Sequence, residues 1–410
     1  MKRKQSLRSA WLPYLVAAVF LFALALFMLA MKYRRSFGLV LSDTALSSLV
    51  IWVCALLLFF IGIGLLYAAK DKYRRMMNIA RRRAAFRDKA NKEAKLEYGL
   101  KITAIGGGTG LSTVLRGLKQ VTHRISAIVT VTDDGGSSGR LLEGNMVLPP
   151  GDIRNCLVAL SPREGIMEKL FNYRFESPAE LKGHSLGNLL ISGLTDINGD
   201  AASAVRDIGR VLNIRGKVIP VTLDDVSLGA VMDDETELFG ETTIVKDRRK
   251  INKVFLKPRN VLVNAEAIDA IMDADLVLLG PGSLYTSIIP NLLVPGIIDA
   301  LAQSPAPVYY IANIMTQKGE TEGYSLSDHV EAIASLSEER FFDGVIVNTA
   351  SLSPEMSEAY EKNNLAMVEN DIAAIKKRKL RIIGLPLAKE EGFVKHDADE
   401  LASFLAKGRF

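Results

Sequence analysis

A chain of 410 residues is long enough to bury a large core and to form about two or three domains. Its formal charge of +5 conceals a split, because residues 1–100 hold 18 Lys and Arg against 5 Asp and Glu while the remainder holds 33 against 41. A body that acidic argues against nucleic-acid binding, which depends on cations that neutralise phosphates. Two cysteines, Cys54 and Cys156, and four scattered histidines argue likewise against a disulfide framework or a zinc site.

From the N-terminus, Trp11 to Met31 is an apolar run broken only by Pro13 near its start, and Ala45 to Ala69 is a second, interrupted by Ser47, Ser48, Gly62 and Gly64. About 20 apolar residues cross the hydrocarbon core of a bilayer, so both runs qualify as spans. A cleaved signal peptide fits the first run less well, since it is too long for such a segment and a second span follows closely. Lys2, Arg3, Lys4 and Arg8 precede the first span, and Lys70, Lys72, Arg74, Arg75, Arg81, Arg82, Arg83 and Arg87 follow the second. The loop between has only Lys32, Arg34 and Arg35. Basic residues stay on the inner side, so a multi-pass membrane protein with both termini and its globular part in the cytoplasm is expected. Residues 70–98 lack Gly and Pro and predict a basic helix. That helix either lies on anionic headgroups or stands as a solvated stalk. The expected organisation is thus a two-span hairpin over 1–69, a juxtamembrane helix over 70–98 and a cytosolic nucleotide-binding domain over 99–410.

The run Lys101–Ile105 predicts a strand that leads into Gly106, Gly107, Gly108, Thr109 and Gly110, after which Leu111, Val114, Leu115 and Leu118 take helical spacing. Strand, glycine turn and helix make the opening unit of a doubly wound sheet. Glycines let backbone N–H groups approach a phosphate, and the helix N-terminus adds partial positive charge. The dinucleotide fingerprint fails because Leu111 stands where its third glycine would be, and the P-loop fails because no lysine follows the glycines.

A second strand, Ile125–Val131, ends in Asp133 and Asp134 and then Gly135–Arg140. Carboxylates at that strand end could hold a ribose hydroxyl, Mg²⁺ or a reacting hydroxyl, or could simply make a polar turn. Asp152 reads as an N-cap within Pro150–Asn155, and His184–Asn188 opens another helix in which His184 caps, packs or acts. Lys217–Thr222, Val226–Met232 and Thr242–Val245 predict short strands of an antiparallel insertion, with Asp224, Asp225, Asp233 and Asp234 in solvated turns. A second strand-turn-helix unit follows, with Asp275–Leu279 entering Gly280, Gly282, Ser283 and Thr286. Two such cradles suit a diphosphate better than a single phosphate. Further strands are expected at Pro307–Asn313, Val345–Asn348 and Leu380–Leu385. The predicted fold is α/β, a Rossmann-like and mainly parallel sheet with a small antiparallel insertion, preceded by two transmembrane helices.

Five motifs taken together, Gly106–Gly110, Asp133–Gly139, Pro150–Asn155, His184–Asn188 and Gly280–Ser287, resemble the gluconeogenesis factor (YvcK-like) family of bacteria, within the 2-phospho-L-lactate transferase (CofD-like) superfamily. The resemblance spans roughly Lys101 to Glu390. It implies a binder of UDP-N-acetylglucosamine or a related UDP-sugar, linked to cell shape, cell-wall synthesis and gluconeogenic growth. Gly107 to Gly110 with Gly282 and Ser283 would meet the diphosphate, and Gly106, Gly280 and Thr286 belong to the same ligand-binding set. Asp133, Asp134 and Asn188 would line the sugar or acceptor side, and Asn155 is a further ligand-binding candidate. No cofactor or metal is required on that reading. A transferase reading instead makes Asp133 and Asp134 catalytic candidates beside Mg²⁺. The implied partners are the UDP-sugar, the membrane and proteins of cell-wall synthesis or regulation, with room for a homo-oligomer.

Overall fold

The computed structural model describes residues 11–36, 45–134, 149–177, 181–408 and 410. Two compact units divide the chain, Met1–Glu93 and Ala94–Phe410. The basic residues ahead of the first span and the loop 135–148, with its Gly135–Arg140 motif, lie outside the described residues.

In the first unit, helix Leu12–Ser36 pairs with helix Ala45–Glu97. Leu12–Met31 and Trp52–Ile79 are long and apolar enough to cross a membrane. Small residues let the two backbones approach, and Ala18, Ala25, Ala55 and Ala69 are buried in the contact. Phe22 and Phe59 meet edge to face at 5.2 Å, while Phe20, Leu26, Phe27 and Phe60 stay exposed. The first helix continues to Ser36, so Lys32, Arg34 and Arg35 belong to its last turns and not to a loop. The basic stretch continues the second span without a break.

The second unit is built on a parallel sheet of seven strands in the order β10-β9-β8-β7-β1-β2-β3. These are β1 (Ile102–Gly106), β2 (Ile125–Val129), β3 (Lys217–Pro220), β7 (Leu276–Leu279), β8 (Val308–Ile311), β9 (Gly344–Asn348) and β10 (Arg381–Leu385). Helices cover both faces, which is why β1, β7, β8 and β9 are buried at every residue and read as continuous apolar runs. Alternation survives within them. Along β7, Val277 and Leu279 enter one core with helices Ala265–Met272 and Leu326–Ala334, while Leu276 and Leu278 enter the other with helices Gly108–Leu118 and Pro150–Leu160. The four apolar positions Leu111, Val114, Leu115 and Leu118 are wholly buried, each contributing about 1.5–3 kcal/mol.

The antiparallel insertion exists but is composed differently from the expectation. It pairs β5 (Glu237–Phe239), β4 (Ser227–Met232) and β6 (Ile251–Lys257). Lys217–Pro220 instead pairs in parallel with β2 at the sheet edge, and Thr242–Val245 lies in helix Glu241–Asp247. Gly240, at φ +88°, turns the chain out of β5 and stands as the N-cap of this helix, which buries Ile244 in the core.

Candidate functional site

The chain runs outward from β1 through β2 to β3, then returns to place β7 against the other side of β1. Strand order therefore reverses between β1 and β7, and a doubly wound sheet binds ligands in the crevice outside the carboxyl ends at that point. Both glycine turns sit there. Ile105 pairs with Leu279, so Gly106–Gly110 and Gly280–Ser287 leave the sheet side by side. Asn291, wholly buried, ties them by donating from Nδ2 to the carbonyls of Gly106 (3.0 Å) and Ser287 (2.7 Å).

A crevice of about 1230 Å³ opens over the turns. Of the residues expected at the site, Gly107, Gly108, Thr109, Gly110, Asp133, Asn155, Gly282 and Ser283 line it. The remaining five sit behind it. Gly106 ends β1 and Gly280 starts the second turn; Thr286 is buried and its hydroxyl donates to Glu320 Oε1 (3.3 Å). Asp134 accepts from the backbone N–H (2.9 Å) and hydroxyl (2.8 Å) of Thr242, which turns it away from Asp133. Asn188 Oδ1 accepts from Arg154 Nη1 at 2.9 Å. No group of three or more His, Cys, Asp and Glu able to hold a metal occurs among the described residues.

The two turns differ in what they offer. Gly108, at φ +61°, begins the 11-residue helix Gly108–Leu118, whose first-turn N–H groups have no acceptor within the helix. Asp152 Oδ2 accepts the Gly108 N–H at 2.6 Å, a contact made across 44 residues. Asp152 is thus not the expected N-cap, a position held by Pro149; it stands in the first turn of helix Pro150–Leu160 and reaches into the crevice. The second turn feeds a five-residue π-helix, Leu284–Ile288. There Glu320 accepts the Tyr285 N–H (3.3 Å) as well as the Thr286 hydroxyl. Each anticipated anion cradle therefore already holds a carboxylate of the protein itself.

Burial raises those carboxyls. Asp152 is pushed up to about 6 by desolvation, opposed by the Gly108 N–H and reinforced by the charge of Asp133. Glu320 is pushed up to about 7 by burial, against the hydrogen bonds it accepts. Glu241 rises to about 9 through burial and then the charges of Asp133, Asp152, Glu320 and Asp134. Lys318, Lys389, Lys395 and Arg116 also line the crevice, with Arg116 paired to Glu164. An anionic ligand here meets backbone N–H groups and carboxyls that hold their protons readily.

His184 lies one residue before Ser185, the true N-cap of helix Leu186–Asn198, whose side chain accepts from the Asn188 N–H. The buried guanidinium of Arg154 joins this corner, donating to Ser185 Oγ (2.9 Å), Asn188 Oδ1 (2.9 Å) and Asn155 Oδ1 (3.1 Å). Arg154→Leu is expected to cost about 3 kcal/mol by stranding those buried oxygens, read as a lower thermal midpoint. An unchanged midpoint would contradict that role.

Comparison with known proteins bears on the same segment. The family described as 2-phospho-L-lactate transferase CofD matches residues 102–388. A protein named gluconeogenesis factor from Bacillus subtilis is 45% identical over 306 residues, covering 74% of this chain and 96% of its own. Another of that name from Halalkalibacterium halodurans is 43% identical over 314 residues, covering 75% and 96%. The chain belongs to the gluconeogenesis factor family and carries a CofD-family domain. A crystal structure of a Bacillus halodurans protein shares the fold with a TM-score of 0.72 at 44% identity, covering 75% of this chain and 99% of that one. A second, described as a member of the UPF0052 family, gives 0.71 at 44% identity, covering 74% and 97%. The family match begins at residue 102, after the two apolar helices, and the Halalkalibacterium relative and the Bacillus halodurans structure are covered over 96% and 99% of their own lengths.

The residues that sequence reasoning passed over are Asp152 as a crevice carboxylate, Glu241, Glu320 and Asn291. Their only local signal was proximity to glycine turns or to polar loops. Their partners lie 44, 35 and 185 residues away for Asp152, Glu320 and Asn291.

Proposed function

We propose that this member of the family is a membrane-anchored binder of a UDP-sugar, UDP-N-acetylglucosamine in the first instance, that reports its supply to cell-wall synthesis and gluconeogenic growth. The observation that carries the reading is the pairing of two glycine turns at the β1/β7 switch point, beneath one crevice with helical N–H groups at its floor. A diphosphate would lie on Gly108–Gly110 against the wall made by Gly282 and Ser283, with Asp133 and Asn155 toward the hydroxyls of the ribose or sugar. The two apolar helices would hold this body at the inner membrane surface, beside enzymes that consume such ligands.

A transferase reading draws on the CofD-family match and on Asp133 within the crevice. Mg²⁺ would there assist a diphosphate leaving group. The pair Asp133–Asp134 supports it less than the sequence did, because Asp134 is engaged by Thr242. Calorimetry on the full chain in detergent, with and without Mg²⁺, separates the readings. Binding of UDP-N-acetylglucosamine that is recovered intact is the expected result; no heat of binding would end the proposal, and metal-dependent turnover would favour the transferase.

A further inference from the structure

The crevice extends well beyond the glycine turns, to a rim formed by the antiparallel pair β11 (Ala388–Glu390) and β12 (Val394–His396). All but the first residue of this hairpin follows the segment matched by the CofD family. Its tip carries Phe393, which is 58% exposed, lines the crevice and belongs to neither hydrophobic core.

The frame around that ring is tightly fixed. Glu391 pairs with Lys389 at 3.0 Å and also with Lys395. The Val394 N–H donates to the Tyr360 hydroxyl at 3.0 Å, and the Asp397 N–H to the Leu387 carbonyl at 2.7 Å. His396, half-buried and pushed down to about 4 by desolvation, is neutral at pH 7 and donates from Nε2 to the Ala312 carbonyl at 3.0 Å, which fastens the hairpin to the end of β8. The hairpin thus presents an aromatic ring to a crevice whose other apolar lining is aliphatic, Val158, Ile314, Met315 and Leu365 among it. Among the described lining residues, Phe393 and Tyr360 are the only phenyl rings. The other described lining side chains are aliphatic, polar or charged.

A nucleobase presents such a face, and stacking on an aromatic side chain is tolerant of base identity. The geometry points to Phe393, flanked by Tyr360, as the platform on which the base of the bound nucleotide stacks, with Lys389 and Lys395 beside it. This rests on the reading that the crevice takes a nucleotide-sugar, and it names what holds the nucleoside half.

The test titrates the full chain in detergent with UDP-N-acetylglucosamine, with ADP and GDP, and with inorganic diphosphate as a base-free probe. Phe393→Ala is expected to weaken nucleotide binding by about 5- to 150-fold and to leave diphosphate binding unchanged, with recovery in Phe393→Tyr. The ring is outside both cores, so its removal should leave the thermal midpoint in place. Equal binding of UDP-N-acetylglucosamine by wild type and Phe393→Ala would overturn the platform while leaving the UDP-sugar reading intact. Binding of ADP or GDP alone, weakened by the substitution, would keep the platform and overturn the UDP-sugar reading. No nucleotide binding by the wild type would end both.

Discussion

Gly110→Val is expected to abolish diphosphate binding and to lower stability by about 3 kcal/mol. A Cβ at Gly110 would fall 2.6 Å from the Pro281 carbonyl oxygen and 2.9 Å from Gly282 Cα. Those atoms are backbone, so no rotamer relieves the clash and the two turns must separate. Separation shifts the N–H groups of the first helical turn relative to the opposite wall, and a ligand gripped from both sides loses one of them. Gly165→Ala makes the control, because a Cβ there meets nothing within 4 Å and helix propensity improves. Calorimetry and thermal unfolding on both variants give the comparison. Unaltered binding by Gly110→Val would show that the turns do not act as a pair.

Affinity for the diphosphate ligand is expected to fall as pH rises from about 6 to 8, measured in a chelator so that divalent cations do not substitute for protons. In the free protein the Asp152 carboxyl is raised from 3.8 to about 6 and that of Glu320 from 4.5 to about 7. A diphosphate beside them raises both further, so binding takes up protons wherever the free carboxyls are ionised. Each proton taken up costs about tenfold in affinity per pH unit above the free value. Roughly 100-fold or more between pH 6 and 8 follows if both groups respond. Glu241, held near 9, is already protonated in this range, so Glu241→Gln should leave the profile unchanged. Asp152→Asn should remove that group's share and leave the shallower dependence set by Glu320. The stability of the unliganded fold carries the same sign: these carboxyls titrate higher folded than unfolded, and the stability they contribute at low pH is lost as pH rises through about 6 to 7. A flat affinity profile, or one rising with pH, would contradict the carboxylate-lined cradle.

Much of the sheet was legible because a doubly covered parallel strand is apolar at nearly every residue. β1, β7, β8 and β9 announce themselves in that way, and the glycine turns after β1 and β7 follow directly in the chain. β3 did not. Lys217–Pro220 is short and precedes genuine antiparallel strands, and nothing local distinguishes an edge strand of the main sheet from a first strand of the insertion. Thr242–Val245 has β-branched residues, but the preceding Gly240 turn and packing set it in a helix. The site was legible where the backbone dictates glycine, by a left-handed φ at Gly108 and by close approach of the second turn at Gly110. It was not legible where its chemistry is long-range. That Asp152 and Glu320 occupy the cradles depends on contacts between segments far apart in sequence, and Asp134, adjacent to Asp133, is drawn off by Thr242 across 108 residues.

A structure of the full chain determined with UDP-N-acetylglucosamine bound tests the switch-point clamp most directly. The expected density places the diphosphate on the N–H groups of Gly108, Thr109 and Gly110, facing Gly282 and Ser283, with Asp152 displaced from the Gly108 N–H. A diphosphate bound elsewhere, with the Asp152–Gly108 hydrogen bond intact, would contradict it.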